Sequence, residues 1–334
     1  MTQEKKLDTT RLQAYAQAYG QSAALMSAVE LGLFTAISEG ANSILQIAEA
    51  LEIHPVNAER LVTMCVALDL IEIQDSGFEN APDVDRFLVK GSHRYAGDWM
   101  LFTKPAWNEW GRLTDHLRAT DLRLLPDIAG YTVEQARAYH EATYSIGMGA
   151  ARRFARQVDL SGRTKLLDLG GGSGAYCIVA ADTWPDLRAV VFDLPPVAEV
   201  AQEFISENGV SDRVEAIAGD FTADPFPIDA DVVVMASNLP MYGPEMIAKV
   251  IAKAHDALLP GGEMHLIGET LNDDRRGPIS AAFWGLGQAL SETTGMAHSE
   301  ADCVGYFETA GFRGVAVQPF VEGVLTRITG FKAA

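Results

Sequence analysis

Cysteine is scarce. The three present (Cys65, Cys177 and Cys303) lie far apart and form no CxxC pair, which leaves no basis for a disulfide framework or a cysteine-ligated zinc site. A reducing, cytoplasmic setting is the expectation. Basic residues are also few: 26 Lys and Arg face 45 Asp and Glu, for a net charge of −19. A field of that sign opposes nucleic acid and anionic membrane alike. No apolar run approaches the ~20 residues of a membrane span. The opening MTQEKKLDTTRLQ has no apolar core of the kind a secretion signal needs. No linker rich in Gly, Ser or Pro cuts the chain, and there is no internal repeat. What remains is a globular composition, 48% apolar, with a length of 334 residues that suits two domains.

The first part reads as short helices. AVELGLFTAI repeats apolar residues at three and four, and SILQIAEALEI and HPVNAERLVTMCVALDLIE follow, with Pro55 placed for a first helical turn. IEIQDSGFENAP then turns at Asp75-Ser76-Gly77 between two extended pieces. Two helices and a β-wing make a winged helix. Such units can read DNA, but the second helix, Val56 to Leu68, carries Arg60 as its one basic residue. A packing or dimerisation module over residues 1–98 is therefore expected. Residues 99–160 read as a helical, aromatic-rich connection that shapes a substrate pocket.

Over 161–334 the texture alternates. KLLDLG, AVVFDL, VEAIAGD, DVVVMAS and GEMHLIGE are apolar runs of strand length separated by helical stretches, the pattern of a parallel sheet with helices on both faces. GVAVQPF and GVLTRITGF close the chain as an antiparallel hairpin. The fold class is α/β: a Rossmann-like sheet with a C-terminal hairpin, preceded by a winged-helix domain.

The first strand runs into the glycine turn LLDLGGGSG, where open α/β sheets bind ligands. Gly170, Gly172 and Ala175 satisfy the permissive dinucleotide pattern. Asp168 opposes that reading, because a carboxylate two residues before the turn repels a pyrophosphate. It suits a ligand with an ammonium group and no phosphate, and S-adenosylmethionine (SAM) is such a ligand. Gly170, Gly172 and Gly174 let the backbone approach it closely. Asp193 ends the second strand, where an acid accepts bonds from ribose hydroxyls. Asp220 ends the third, beside Phe221, and this pair suits an adenine amino group and ring. Three acids at successive strand ends point to a class I SAM-dependent methyltransferase, with S-adenosylhomocysteine as product. The acidic pair Asp273 and Asp274 lacks further ligand spacing, so no metal is expected.

DLGGGSG, VVFDLPPV, AGDF and LLPGGEMHLIGE, following a winged-helix half, resemble the dimeric small-molecule O-methyltransferase family. The resemblance implies a homodimer and a substrate between the middle helices and the strand ends. In that family a histidine after the fourth strand is the general base. In DVVVMASNLPMYGPE, Pro240 stands in its place and Tyr242 replaces a tryptophan, with changes upstream at Ala236 and Ser237. Proline carries no proton. A positioned base is worth ~10²–10⁴-fold to a hydroxyl nucleophile, whereas a thioether has no proton to lose.

NLPMYGPE, TYSIGMG and GPISAAFWGLGQALSETTG further resemble one branch of the family, the methylthiohydroxybutyrate S-methyltransferases of bacterial dimethylsulfoniopropionate synthesis. That resemblance implies methylation of 4-methylthio-2-hydroxybutyrate on sulfur. The alternative is O-methylation of a phenolic or other hydroxylated molecule with His140 or His298 as a non-standard base. His140, Tyr144 and Met148 share a helix face and, with Trp284 and Gln288 near Phe283, are the expected substrate-binding residues. An aromatic ring and a thioether can hold a sulfonium. Arg123, Arg152 and Arg153 are candidates for a substrate carboxylate, and the other histidines show no catalytic context.

Overall fold

Proline at the first turn opens helices at Pro55, Pro82, Pro195 and Pro244, where its missing N–H costs nothing. The computed structural model describes residues 7–128 and 130–334. Residues 1–6, part of the segment read above for a secretion signal, lie outside them. The chain divides into compact units at Met1–Pro105 and Ala106–Ala334. The helical connection expected over 99–160 is thus no separate body: it is split at 105, and its long helix belongs to the sheet's own core.

In the first unit, α1 (Thr10–Leu31), α2 (Leu33–Ser38), α3 (Ile44–Ala50) and α4 (Pro55–Ala67) precede the hairpin β1 (Ile71–Gln74) and β2 (Gly77–Asn80). Helices α5 (Pro82–Leu88) and α6 (Gly97–Leu101) follow. Phe34, Ile47, Val62, Cys65 and Ile71 form its core. The α3–α4–wing arrangement is the winged helix expected, and the wing is tied down by Asn42, whose Nδ2 donates to Ser76 O at 2.8 Å. Arg60 on α4 donates to Asn57 at 3.0 Å.

The second unit begins with α7 (Trp107–Gly111), α8 (Leu113–His116) and α9 (Val133–Gln157). A capping box between Thr132 and Gln135 starts α9. Then come β3 (Lys165–Leu169), α10 (Ala175–Thr183), β4 (Arg188–Asp193), α11 (Pro195–Glu207), β5 (Val214–Ala218), β6 (Ala230–Ala236), α12 (Pro244–Ala257) and β7 (Leu258–Gly268). The chain ends with β8 (Thr270–Leu271), α13 (Ile279–Gly287), β9 (His298–Ser299), α14 (Glu300–Ala310), β10 (Arg313–Val321) and β11 (Leu325–Phe331). The seven-stranded sheet runs β10-β11-β7-β6-β3-β4-β5. β5, β4, β3, β6 and β7 are parallel, and β11 pairs antiparallel with β7.

Strand alternation sorts the side chains between two faces. Leu166, Val232, Val234 and Ile267 pack under α9 and α10 with Phe154 and Cys177. Leu167, Leu169, Val233, Met235 and Leu266 pack under α12 and α14 with Phe307. Asp168, two residues after Leu166, therefore lies on the α9–α10 face. Strand order reverses between β3 and β6, which opens a crevice beyond their C-terminal ends.

Candidate functional site

The glycine turn fills that crevice. Gly170, Gly172 and Gly174 take φ of +63°, +57° and +75°, a region costly for any residue with a Cβ. Space forbids a side chain as well. A Cβ on Gly170 would lie 2.7 Å from Asn238 Nδ2 and 2.9 Å from Phe221, and one on Gly172 would lie 2.7 Å from His140. Asn238, which sequence reading missed, laces the crevice: its Nδ2 donates to Ala236 O at 2.9 Å and Gly170 O at 3.2 Å. A Ser-Asn pair directly after the strand run was the available signal, and Ser237 takes a φ of +62°.

Asp168 is 1% exposed. Its Oδ2 accepts a weak bond from the Cys177 thiol at 3.9 Å, and its Oδ1 is buried with no partner. Burial, and next the charge of Asp193, push its carboxyl up to about 8. Asp193 accepts from Gly172 N at 2.9 Å and Leu194 N at 2.7 Å. Burial pushes it up to about 6 against those two bonds. Asp220 is partly spent on its own turn, since Oδ1 accepts from Thr222 N at 2.8 Å and from the Thr222 hydroxyl at 2.6 Å. Phe221 is buried, edge-on to Tyr242 at 5.4 Å. Lys253 from α12 donates to the Phe221 carbonyl at 2.9 Å and holds that turn in place. An orphaned buried carboxylate oxygen beside a cradle that any Cβ would fill fits the ammonium end of SAM. It does not fit a pyrophosphate.

On the β6 side, Pro240 lies buried in a 3₁₀ turn, Leu239–Met241. Of the two rival histidines, His298 is already committed. His298 donates from Nε2 to Tyr242 O at 2.9 Å, which leaves Nδ1 to accept from the Tyr306 hydroxyl at 3.0 Å. Burial holds its pKa low. His140 packs on Gly172, and burial pushes it down to about 4.

Two expected substrate residues have close protein partners. Tyr144 stacks on Phe204 of α11 at 4.5 Å, and its hydroxyl accepts from Asn208 at 2.7 Å. Met148 is buried in the core with Ala151 and Phe154. The shared helix face was read correctly, but α9 lies across α10 and α11, so the stripe sinks into packing after its first turns. His140, near the start of that helix, reaches the glycine turn. Trp284 meets Phe283 edge-on at 5.3 Å, and Phe283 stacks on Trp110 of α7 at 5.0 Å. The Gln288 amide donates back to Trp284 O at 3.1 Å. Arg153 donates to Phe320 O at 3.3 Å and Arg123 to Ser291 O at 2.8 Å, while Arg152 is exposed. Asp273 accepts from Ala301 N in the first turn of α14 at 2.8 Å, and Asp274 accepts from Arg276 N within its own turn at 3.0 Å.

Glu269 was read only as the end of a strand run. It follows Gly268, against which Leu239 packs. Alternation from His265, which meets Phe154 edge-on at 5.1 Å, puts Ile267 on the α9–α10 face, and Glu269 stands just beyond the end of β7. Burial raises its carboxyl above the usual range.

A family model for the O-methyltransferase domain matches residues 129–313, and one for the O-methyltransferase dimerisation domain matches residues 13–90. A 3-hydroxy-5-methyl-1-naphthoate 3-O-methyltransferase of Streptomyces sahachiroi is 32% identical over 92% of this chain and 91% of its own. The N,N-dimethyltransferase OxyT of Streptomyces rimosus is 31% identical over 89% of this chain and 88% of its own. Human N-acetylserotonin methyltransferase, solved in complex with SAM, superposes with a TM-score of 0.84 at 22% identity, covering 100% of both chains. Among the described residues no helix is long and apolar enough to cross a membrane.

Proposed function

Because the chain belongs to the O-methyltransferase family, we propose that it methylates a small molecule from SAM at a nucleophile that needs no imidazole base. Bound SAM supplies an electrophilic methyl group on a sulfonium leaving group. The protein's task is then chiefly to hold and align. Asp168 takes the ammonium end, Asp193 the ribose hydroxyls, and Phe221 with Tyr242 the adenine ring. Gly170 to Gly174 let the backbone close on the donor, and Asp220 contributes what its own turn leaves free.

One observation carries the choice of nucleophile. Pro240 stands where the family's base belongs, and both nitrogens of His298 are already committed. The acceptor we favour is the thioether of 4-methylthio-2-hydroxybutyrate, as in dimethylsulfoniopropionate synthesis, because a thioether sulfur loses no proton on methylation. The relatives named above act on oxygen and nitrogen, so this choice rests on the missing base and the resemblance of NLPMYGPE. His140, Trp284 and Gln288 remain the side chains proposed to face the acceptor. O-methylation is the second reading, favoured by the relative at 32% identity. Incubation with methyl-labelled SAM and separate thioether, phenol, alcohol and amine pools, read by product mass, decides between them. Label in the phenol pool alone would end the S-methylation reading.

The protein is proposed to act as a homodimer through its first unit. Leu12, Tyr15 and Tyr19 of α1 are 57%, 65% and 70% exposed and fall on one helix face. No nucleic-acid partner is proposed, since the second helix of the winged unit carries Arg60 alone.

A further inference from the structure

Both ring nitrogens of His116 face carboxylates. Nε2 stands 2.9 Å from Glu109 Oε2, and Nδ1 stands 3.2 Å from Glu292 Oε1. A neutral imidazole has one N–H and can donate to one of them; two carboxylate partners call for the imidazolium. The His116 side chain is 11% exposed, so little water is at hand to replace either bond. Arg112 reaches the same Glu109 oxygen at 3.4 Å, while Asp115 and Arg118 pair with each other at 4.0 Å. The bond to Glu109, and next the bond to Glu292, raise His116 above the ordinary histidine value.

The bridge leads to the turn that holds Pro240. Glu109 lies on α7, His116 ends α8, and Glu292 follows the 3₁₀ turn Gln288–Ser291. Glu292 takes a φ of +51°, a region that side chains rarely adopt. The backbone beside it is stitched to the α8 segment: Arg123 N donates to Glu292 O at 2.9 Å, and Thr294 N to Arg123 O at 2.8 Å. Next comes direct contact. A Cβ on Gly295 would lie 2.7 Å from the carbonyl oxygens of both Pro240 and Met241, and one on Gly243 would lie 3.1 Å from Thr294 O. Residues 292–295 thus back the Leu239–Met241 turn.

We infer that His116 is a positioning residue: as an imidazolium it fastens residues 292–295 behind the Leu239–Met241 turn and so sets the acceptor side of the site. The inference rests on the acceptor lying at that turn, as proposed above. A histidine raised by its partners holds the clamp below the ordinary histidine range and releases it as pH rises through the raised value. Acceptor KM should rise with that release.

Hydrogen exchange of the full chain, read by mass on peptides that contain Arg123 and Thr294, tests the clamp without any acceptor. At pH 6, His116→Gln is expected to speed exchange there by about three- to tenfold, and at pH 9 to match the unaltered chain. His116→Arg keeps its charge and a fork of donors at both pH values, so it should stay protected at both. With 4-methylthio-2-hydroxybutyrate as acceptor, KM at pH 6 should rise by a similar factor in His116→Gln and recover in His116→Arg. SAM affinity by calorimetry should stay within about twofold, which also shows that the variants are folded. Equal exchange in all three chains, or altered exchange with unchanged KM, would overturn the inference. So would a loss of SAM affinity in step with KM, the mark of general destabilisation. If the unaltered chain methylates a phenol, alcohol or amine instead, the thioether reading fails, and the same KM comparison with that acceptor decides the role of His116.

Discussion

Donor binding should release a proton, and Asp168 is where it comes from. Burial and Asp193 raise its carboxyl to about 8 in the free protein. At pH 7 a group with that value is about nine-tenths protonated. An ammonium placed against the unpartnered Oδ1 favours the carboxylate and drives the proton off. Affinity for SAM should therefore climb roughly tenfold from pH 6.5 to 7.5, about one proton per pH unit. Calorimetry in two buffers of different ionisation enthalpy counts that proton directly. The expected count is close to one for the unaltered chain and close to zero for Asp168→Asn. The sign for stability is opposite. A carboxyl whose folded value lies above its unfolded one loses stability as pH rises from about 4 to about 8. Without ligand, then, Asp168→Asn should melt higher, by about 1–2 kcal/mol at neutral pH, while binding SAM worse. A pH-independent affinity with no proton released would refute the assignment of Asp168 to the ammonium.

At saturating donor and thioether acceptor, the rate should show no ascending limb from a histidine near neutral pH; a limb that His140→Gln or His298→Gln abolished would restore a histidine base. His298→Gln should cost about 1–3 kcal/mol in stability, because a buried donor to Tyr242 O is displaced, with little loss of rate per folded molecule. Gly172→Ala meets both a φ of +57° and the His140 ring at 2.7 Å; donor binding should be lost, and calorimetry checks it. Charged residues at Tyr15 and Tyr19 should shift the dimer to monomer in sedimentation, with the fold intact by circular dichroism.

The strands, their order of appearance and the positions of the three acids at or near the ends of β3, β4 and β5 were legible because each rests on local pattern. A short leucine-rich run ending in Asp-Leu-Gly announces its own geometry, and the alternation of β3 already implied which face Asp168 takes. The misreadings are all questions of which neighbour a surface meets. Tyr144 and Met148 do share a helix face with His140, yet periodicity cannot say that α11 and α10 lie against that face. His298 was a candidate replacement base in sequence, and Tyr242 O and Tyr306, 56 and 8 residues away, are what commit it. Asn238 and Glu269 escaped for a related reason. An asparagine in a loop and a glutamate after a strand are ordinary, and only the assembled sheet puts Asn238 against Gly170 and buries part of Glu269 at the end of β7.

Asn238 has a consequence for how such proteins diversify. Its amide ties β6 to the glycine turn one residue before the Leu239–Met241 turn begins. Strain or altered chemistry introduced at residue 240 therefore meets a fastened joint before it reaches the donor cradle. On the function proposed above, position 240 would be an interchangeable socket: an imidazole there would serve protic acceptors and a proline aprotic ones, with the donor half left as it is. Exchange of acceptor chemistry by a single substitution, with the methyl source retained, is a step this architecture makes short.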